Sequence, residues 1–168
     1  DFGTVAFSVS NESDLLPNIL STMKDDRIKQ LVSQDDLIVK YGTYNAEKIK
    51  ARTNVFSNTA HKINALALLV LDSRTLDNTI ITLRDCLQSK NFSFVLKAAK
   101  ERSIARNSKR DVDNYFNTLR LSVKICCMIV KSECINEKIK VKLRDIDEFL
   151  LLINKEFVFT EEDRKLVG

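Results

Sequence analysis

The sequence predicts an all-α protein, an antiparallel helical bundle of about five to seven helices with a short extended N-terminal arm. Only three glycines and one proline occur in 168 residues, whereas β-sandwiches and barrels need frequent turn residues. Apolar side chains recur at three- and four-residue spacing over long segments, which is the period of one helical face. Hydrophobic residues make up 44% and charged residues 30% of the chain, which is typical of a globular domain.

The N-terminal residues divide into an arm and the start of the bundle. Residues 1–10 alternate, with Val5, Phe7 and Val9 on one side, and we expect residues 1–12 to form an extended arm or edge strand. The single bundle domain is predicted to cover 13–168 without a linker that would divide it. Ser13 is the expected N-cap of the first helix, and Pro17 fits its first turn, where no backbone donor is lost.

The next stretch contains a short helix and an expected bend. Asp25 or Asp26 is predicted to open the short helix, because carboxylates accept hydrogen bonds at helix N-termini. Gly42 is predicted to be a C-cap or bend, because glycine adopts the left-handed conformation readily. Beyond it, apolar residues recur every seven positions and predict one helical face, although poor helix formers between them allow a break. This face consists of Ile49, Phe56, Ile63 and Val70.

The middle of the chain is predicted to hold a turn followed by two helices. Residues 72–75, Asp-Ser-Arg-Thr, are typical of a turn with a helix N-cap. Asn91 is predicted to start the second of the two helices. The first is predicted to carry Leu76, Ile80, Leu83 and Leu87 on its apolar face.

The last third of the chain has the clearest helical periodicity, in two long stretches. Asp111 or Asp113 is expected to cap the first stretch. The second is predicted to begin at about Asn136. Thr160 and Asp163 have the spacing of a capping box, which predicts a short tail helix.

Four cysteines leave the redox compartment open: Cys86, Cys126, Cys127 and Cys134. The favoured interpretation is buried free thiols in an intracellular protein, because cysteine packs as a small hydrophobe. Disulfides in a secreted protein are the alternative, with three possible pairings. No apolar run approaches the roughly 18 residues that span a bilayer. Asp1 stands where an initiator methionine is expected, which indicates an excised piece or a processed product.

The residues favour a protein without catalytic activity, metal or cofactor. His61 is the single histidine, which excludes zinc sites with two histidines and Glu-x-x-His di-iron sites. Ser21 and Lys24 match a Ser-x-x-Lys spacing, but the partner motifs of that chemistry are absent. No glycine-rich phosphate loop occurs, and the carboxylate pairs flank predicted helix starts or exposed faces.

Charge is unevenly distributed, although the net charge is only +4. The first 36 residues are acidic, and the basic residues cluster further along the chain. A second basic cluster consists of Lys138, Lys140, Lys142 and Arg144. The first basic cluster, called here the 97–110 segment, consists of Lys97, Lys100, Arg102, Arg106, Lys109 and Arg110. Such a cluster neutralises phosphates, meets an acidic protein or lipid surface, or forms a solvated helix face.

These observations lead to three hypotheses for function. The first is a non-enzymatic protein–protein interaction or scaffolding module, because helices are abundant and catalytic constellations are absent. The second is binding of nucleic acid or an anionic surface through the 97–110 segment. The third is a secreted helical protein that holds an apolar ligand between its helices. Neither the oligomeric state nor the identity of a partner follows from the residues.

Overall fold

The structure, a computed structural model, describes residues 15–106 and 108–167, so the predicted arm at 1–12 and the predicted cap Ser13 lie outside the described residues. Within these ranges the chain is all-α without strands, which confirms the predicted fold class. Nine α-helices and a 3₁₀ turn at Ser89–Asn91 occur there, so the predicted number of helices is not confirmed. The helices are α1 Leu15–Ser21, α2 Asp26–Gln34, α3 Asp36–Lys48, α4 Val55–Leu76, α5 Leu83–Cys86, α6 Phe92–Ile104, α7 Lys109–Glu137, α8 Lys140–Glu156 and α9 Glu161–Lys165.

Helix starts that depend on local capping chemistry follow the sequence prediction. Asp25 caps α2, and its carboxylate accepts hydrogen bonds from the first backbone N–H groups of that helix. Thr160 and Asp163 form a reciprocal capping box at the start of α9. Asn91 is the cap residue of α6, as expected, although its side chain makes no capping bond there. Short-range side-chain chemistry therefore decides where α2 and α9 begin.

The boundaries of α7 and α8 differ from the prediction. Ser108 caps α7 through a hydrogen bond from the backbone N–H of Asp111, so Asp111 and Asp113 are not the cap. Helix α7 runs through Asn136, where the final long helix was expected to begin. Lys138 ends α7 in the left-handed conformation, with φ 58°. The two helices are therefore joined by a turn of only two residues.

Gly42 lies inside α3 and does not end it, so the predicted C-cap is wrong. A Cβ atom at this position would lie 2.9 Å from Leu16 Cδ1 and 3.2 Å from Ile63 Cγ2. Glycine therefore allows α1 and α4 to approach α3 closely. The packing of three helices explains this residue, and a C-cap conformation does not.

The seven-residue pattern from Ile49 to Val70 does not form one face. The chain is non-helical between the end of α3 and Val55, at the break that the poor helix formers allow. Phe56, a member of the predicted face, is 37% exposed in the first turn of α4, whereas Ile63 and Val70 are buried. Ile49 directly follows α3, whereas Phe56, Ile63 and Val70 lie on α4, so the seven-residue spacing does not come from one helix.

Residues 72–75 form the end of α4, so the predicted turn is wrong. Asp72 accepts a bidentate ion pair from Arg102 of α6, and Ser73 is buried. The turn follows α4 instead, and α5 is a single helical turn, Leu83–Cys86. Asp72 thus serves a contact with another helix, and Arg74 donates to the carbonyl oxygens of Ile80 and Ile81 in the turn that follows α4.

The buried apolar side chains form one continuous cluster. Phe116 of α7 stacks on Phe157 at 4.9 Å between ring centroids, and Phe92 of α6 meets Phe149 of α8 edge-on at 5.4 Å. The buried hydroxyl of Tyr41 and the Ser122 hydroxyl lie 2.8 Å apart, which satisfies both polar groups inside the core. No helix among the described residues has the length and apolar character required to cross a membrane.

Candidate functional site

An apolar groove of about 360 Å³ lies between α5, α7 and α8. Leu87 directly follows α5, Val130 lies on α7, and Val141 and Ile146 lie on α8; together they form its apolar lining. Leu87 and Ile146 are buried, whereas Val141 is 77% exposed, the largest value for a large apolar side chain among the described residues. The groove therefore presents an apolar surface that the described residues leave uncovered.

The rim of the groove is polar and carries charges of both signs. Arg84, Gln88, Lys142 and Asp145 line it. Asp145 accepts hydrogen bonds from the hydroxyl and the backbone N–H of Ser89, so its carboxylate is already engaged. Lys142 forms no ion pair with any residue that the structure describes. The ammonium group of Lys142 is thus available at the edge of the groove.

Arg84 is fixed by an ion cluster that joins α3, α5 and α7. Its guanidinium lies 2.8 Å from the Asp36 carboxylate and 2.9 Å from the Glu133 carboxylate. Lys40 also pairs with Glu133 and lies 3.7 Å from Asp36. Bidentate guanidinium–carboxylate geometry orients both partners. The cluster therefore holds one wall of the groove in place.

The ion cluster shifts the pKa values of Asp36, Glu133 and Arg84. The hydrogen bond from Arg84 lowers the pKa of Asp36, and this outweighs the opposing effect of burial. Burial raises the pKa of Glu133, but hydrogen bonds from Arg84 and Lys40 together outweigh it, and the net pKa is lowered. Its carboxylate partners raise the pKa of Arg84. Asp36, Glu133 and Arg84 are therefore charged at neutral pH.

The second basic cluster lies at the turn between α7 and α8. None of its four cations forms an ion pair within the described residues, and Ile135 is 54% exposed on the last turns of α7. This end of the α7–α8 hairpin, called here the hairpin tip, therefore combines unpaired cations with exposed aliphatic carbon. The cations of the hairpin tip are Lys138, Lys140, Lys142 and Arg144.

The structure places the 97–110 segment on α6, on the connection that contains Arg106 and on the start of α7, and it gives three of the six cations carboxylate partners. Lys100 lies 2.8 Å from Asp163 of α9, and Arg102 lies 2.8 Å from Asp72 of α4. Lys97 has only a long contact of 3.9 Å with Glu101 in the same helix. Lys100 and Arg102 thus connect α6 to other helices as well as carrying charge.

The rest of the 97–110 segment is exposed. Arg106 lies 5.0 Å from the centre of the Tyr115 ring, a cation–π distance. Lys109 and Arg110, in the first turn of α7, form no ion pair with the described residues. Lys97 and Lys100 line a cavity between α6 and α9, away from Arg106 and Tyr115. The six predicted site residues therefore do not all meet at one surface.

The potential nucleophiles lie in unreactive surroundings. Burial raises the pKa of Cys86 to about 12 and raises the pKa of Cys126 and Cys127 still further. All four thiols are buried, as the sequence predicts for structural cysteines. The Ser21 hydroxyl donates to the Asn18 carbonyl oxygen at 2.6 Å, a local helix-end contact. A buried thiol held protonated has little nucleophilic character.

The remaining candidates for chemistry are isolated from one another. His61 is exposed, and its ring meets Tyr115 edge-on with 6.4 Å between centroids. The described residues contain no group of three or more histidine, cysteine or carboxylate side chains arranged to hold a metal ion. Asn91 lies in a glycosylation sequence pattern, but it is buried and its amide donates to the Asp85 carbonyl oxygen at 2.8 Å.

No protein family, curated protein or solved structure is detectably similar to the chain. Sequence reasoning found the cations of the hairpin tip but missed the groove, because Leu87, Val130 and Ile146 each follow an ordinary helical stripe. Three separate segments supply them, so only the folded chain brings them together. Val141 is the one sign of the groove in the sequence, because it is an apolar residue between Lys140 and Lys142 in an otherwise basic stretch.

Proposed function

We propose that the protein is a non-enzymatic interaction or scaffolding module, built as an antiparallel helical bundle, that holds an apolar side chain of a partner protein in the groove between α5, α7 and α8. The exposure of Val141 beside the apolar lining carries the proposal. Full burial of one such aliphatic side chain contributes roughly 1.5–3 kcal/mol. A partner that covers the groove therefore gains binding free energy from a surface that is already formed.

The dimensions and chemistry of the groove support a docking role. A volume of about 360 Å³ lies at the lower end of the range of binding pockets, so it suits one anchoring side chain rather than a large cofactor. Its polar residues are Arg84, which is held by carboxylates, Asp145, which is held by Ser89, and the amine and amide of Lys142 and Gln88. Such groups orient a bound segment and do not form a nucleophile with an adjacent base.

Site-specific photo-crosslinking tests the proposal. A photoreactive phenylalanine analogue replaces Val141 in one variant and Leu151 in a control variant, since both positions are exposed on α8 but only Val141 lines the groove. In an extract of the source cells, we expect the variant with the analogue at position 141 to form a discrete protein adduct that resists nuclease. The variant with the analogue at position 151 should form much less of this adduct. Equal labelling at both positions, or no protein adduct at position 141, would overturn the proposal.

A second candidate function is binding of nucleic acid or another anionic surface through the 97–110 segment. The observation that favours it is the exposure of Arg106, Lys109 and Arg110 without carboxylate partners among the described residues. Replacement of these three by alanine is expected to weaken binding of duplex DNA or single-stranded RNA. The slope of the logarithm of the binding constant against the logarithm of salt concentration should become shallower by about one unit per residue. Unchanged affinity at low salt argues against this function.

A further inference from the structure

From the charges around the groove we infer that the partner segment, given the docking role proposed above, is an acidic amphipathic helix. One of its apolar side chains enters the groove, and its carboxylates meet the cations of the hairpin tip. Lys142 supplies the link between the two features, because it belongs to the hairpin tip and also lines the groove beside Val141.

The carboxylates near the hairpin tip have other partners. Glu133 is bound by Arg84 and Lys40, Asp145 by Ser89, and Asp147 lies 2.9 Å from Lys131. Asp145 keeps its negative charge, because both of its hydrogen-bond donors are neutral. Together with the exposed Glu137 and Glu148 it makes three carboxylates without a cationic partner among the described residues, which the four cations of the hairpin tip outnumber. The tip therefore presents a local positive field that an acidic segment complements.

The helices around the groove favour a helical occupant over an extended strand. The described residues contain no strand, so they offer no strand edge to which an extended peptide can add. A groove between helices accepts the apolar stripe of an amphipathic helix, whose anchors recur three or four residues apart. Carboxylates on the flanks of that stripe then reach the ammonium groups on the rim.

The same observations distinguish a helix from a lipid surface. Leu87 and Ile146 are buried at the bottom of the groove, where a flat bilayer makes no contact with them. A membrane instead contacts the protruding aliphatic side chains of the hairpin tip, Ile135 and Val141, together. Val141 lines the groove and Ile135 does not. Substitution of each residue in turn therefore separates the two kinds of partner.

A peptide-display selection tests the inference. The library contains random peptides of about 15 residues, the length at which isolated helices become stable. The wild-type chain is the target, and the Val141→Asn variant removes peptides that bind elsewhere. We expect enriched peptides to carry net negative charge and apolar residues at helical spacing. They should bind a Lys138→Glu, Lys142→Glu variant at least about tenfold more weakly at low salt, with a smaller difference at high salt.

Matched variants give the controls. Ile135→Asn removes an exposed aliphatic side chain outside the groove, and Lys109→Glu with Arg110→Glu reverses two exposed cations on another part of the fold. Neither variant is expected to change peptide affinity by more than about twofold, because neither alters the groove or its rim. Circular dichroism of each variant verifies that the helices are retained.

Each alternative outcome has a definite consequence. If groove-dependent peptides are enriched but are neutral or basic, the inference about partner charge fails and the docking function stands. If no enriched peptide depends on Val141, the docking function fails and the inference fails with it. A lipid partner would give a different result: the chain would bind phosphatidylcholine vesicles only when they contain phosphatidylserine, and Ile135→Asn and Val141→Asn would lose this binding equally. That result would show that the hairpin tip binds lipid, and it would overturn the inference.

Discussion

Leu83 donates its backbone N–H to the buried carboxylate of Asp35 over a distance of 2.8 Å. The other carboxylate oxygen of Asp35 accepts the backbone N–H of Ile38 at 3.1 Å and thereby caps α3. One side chain thus fixes the first turn of α3 and the first turn of α5, although 48 residues separate Asp35 from Leu83. Helix α5 carries Arg84 into the ion cluster, so Asp35 also helps to position one wall of the groove.

Replacement of Asp35 by alanine is expected to destabilise the protein by about 2–4 kcal/mol. A lost N-cap costs about 1 kcal/mol, and a buried backbone donor without an acceptor costs a further 1–3 kcal/mol. Urea unfolding followed by circular dichroism measures the change. Asp26→Ala is the control, because this exposed carboxylate in the first turn of α2 is expected to contribute under about 1 kcal/mol through the helix dipole. Similar losses in the two variants would contradict the role of Asp35.

Substitutions of Gly42 are expected to separate helix propensity from packing. Alanine gains about 1 kcal/mol of helix propensity over glycine, but its Cβ requires Leu16 Cδ1 to move from 2.9 Å. The Leu16 methyl group is the end of a flexible side chain, so we expect Gly42→Ala to change stability by less than about 1 kcal/mol. Gly42→Val adds two more methyl groups against Ile63 and is expected to cost about 1–3 kcal/mol. Thermal unfolding measures both, and equal stability of the two variants would contradict this account.

The sequence predicted those features that neighbouring residues determine. Asp25 and the Thr160–Asp163 pair were identified correctly, because an N-cap depends on residues within one helical turn. The all-α class was also correct, since side-chain periodicity accumulates over many residues. Such features require no knowledge of which helices lie beside each other.

The features that the sequence did not predict depend on contacts between distant segments. Gly42 reads as a helix end unless it is known that α1 and α4 cross α3 at that residue. Asp72 reads as a turn residue unless its partner Arg102 is known. The groove was missed for the same reason, since Val130 and Val141 meet only after α8 folds back on α7. Counting charges along the sequence likewise could not identify Asp163 and Asp72 as the partners of Lys100 and Arg102.

Acidification is expected to weaken the ion cluster. The pKa values of Asp36 and Glu133 are lowered in the folded state, so both carboxylates bind protons less readily there than in the unfolded chain. Their contribution to stability is complete above the ordinary carboxyl pKa of about 4 and is lost as the pH falls through the lowered values. We expect Glu133→Gln to lower the free energy of unfolding by about 1–2 kcal/mol at pH 7.

The pH comparison provides the test. The difference between wild type and Glu133→Gln is expected to shrink toward zero by about pH 3, because the wild-type carboxylate is then becoming protonated. Denaturant titrations at several pH values measure this difference, and Glu148→Gln, an exposed carboxylate outside the cluster, is the control. A difference that stays constant from pH 7 to pH 3 would show that Glu133 acts through packing rather than charge.

The buried thiols are expected to react only after the fold opens. Burial keeps Cys86, Cys126 and Cys127 protonated at pH 8, and a thiol-specific disulfide reagent requires the thiolate. The native chain should therefore react slowly, and denaturant should reveal four thiols per chain without a reductant. Fewer than four thiols in denaturant would instead indicate disulfides and favour the alternative of a secreted protein with an apolar ligand.

Helix α9 is expected to depend on ion pairs more than on its own burial. None of its residues is buried, and it is tied to the bundle by Asp163 with Lys100 at 2.8 Å and by Arg164 with Asp113 at 2.8 Å. Asp163 also forms part of the capping box, and its contacts outweigh the effect of burial and lower its pKa. Loss of Lys100 therefore removes one of the two ion pairs that tie α9 to the bundle. The other ion pair and the capping box stay intact.

Lys100→Met tests this dependence, because methionine retains the length of the side chain without its charge. Hydrogen exchange of the backbone amides at 161–167 is expected to accelerate several-fold relative to wild type, while exchange in α7 is unchanged. Lys97→Met is the matched control on the same helix, since its contact with Glu101 is long and exposed and contributes little. Equal exchange in the two variants would mean that Val167 and the aromatic contacts of Phe159, rather than the Lys100 ion pair, hold α9 on the bundle.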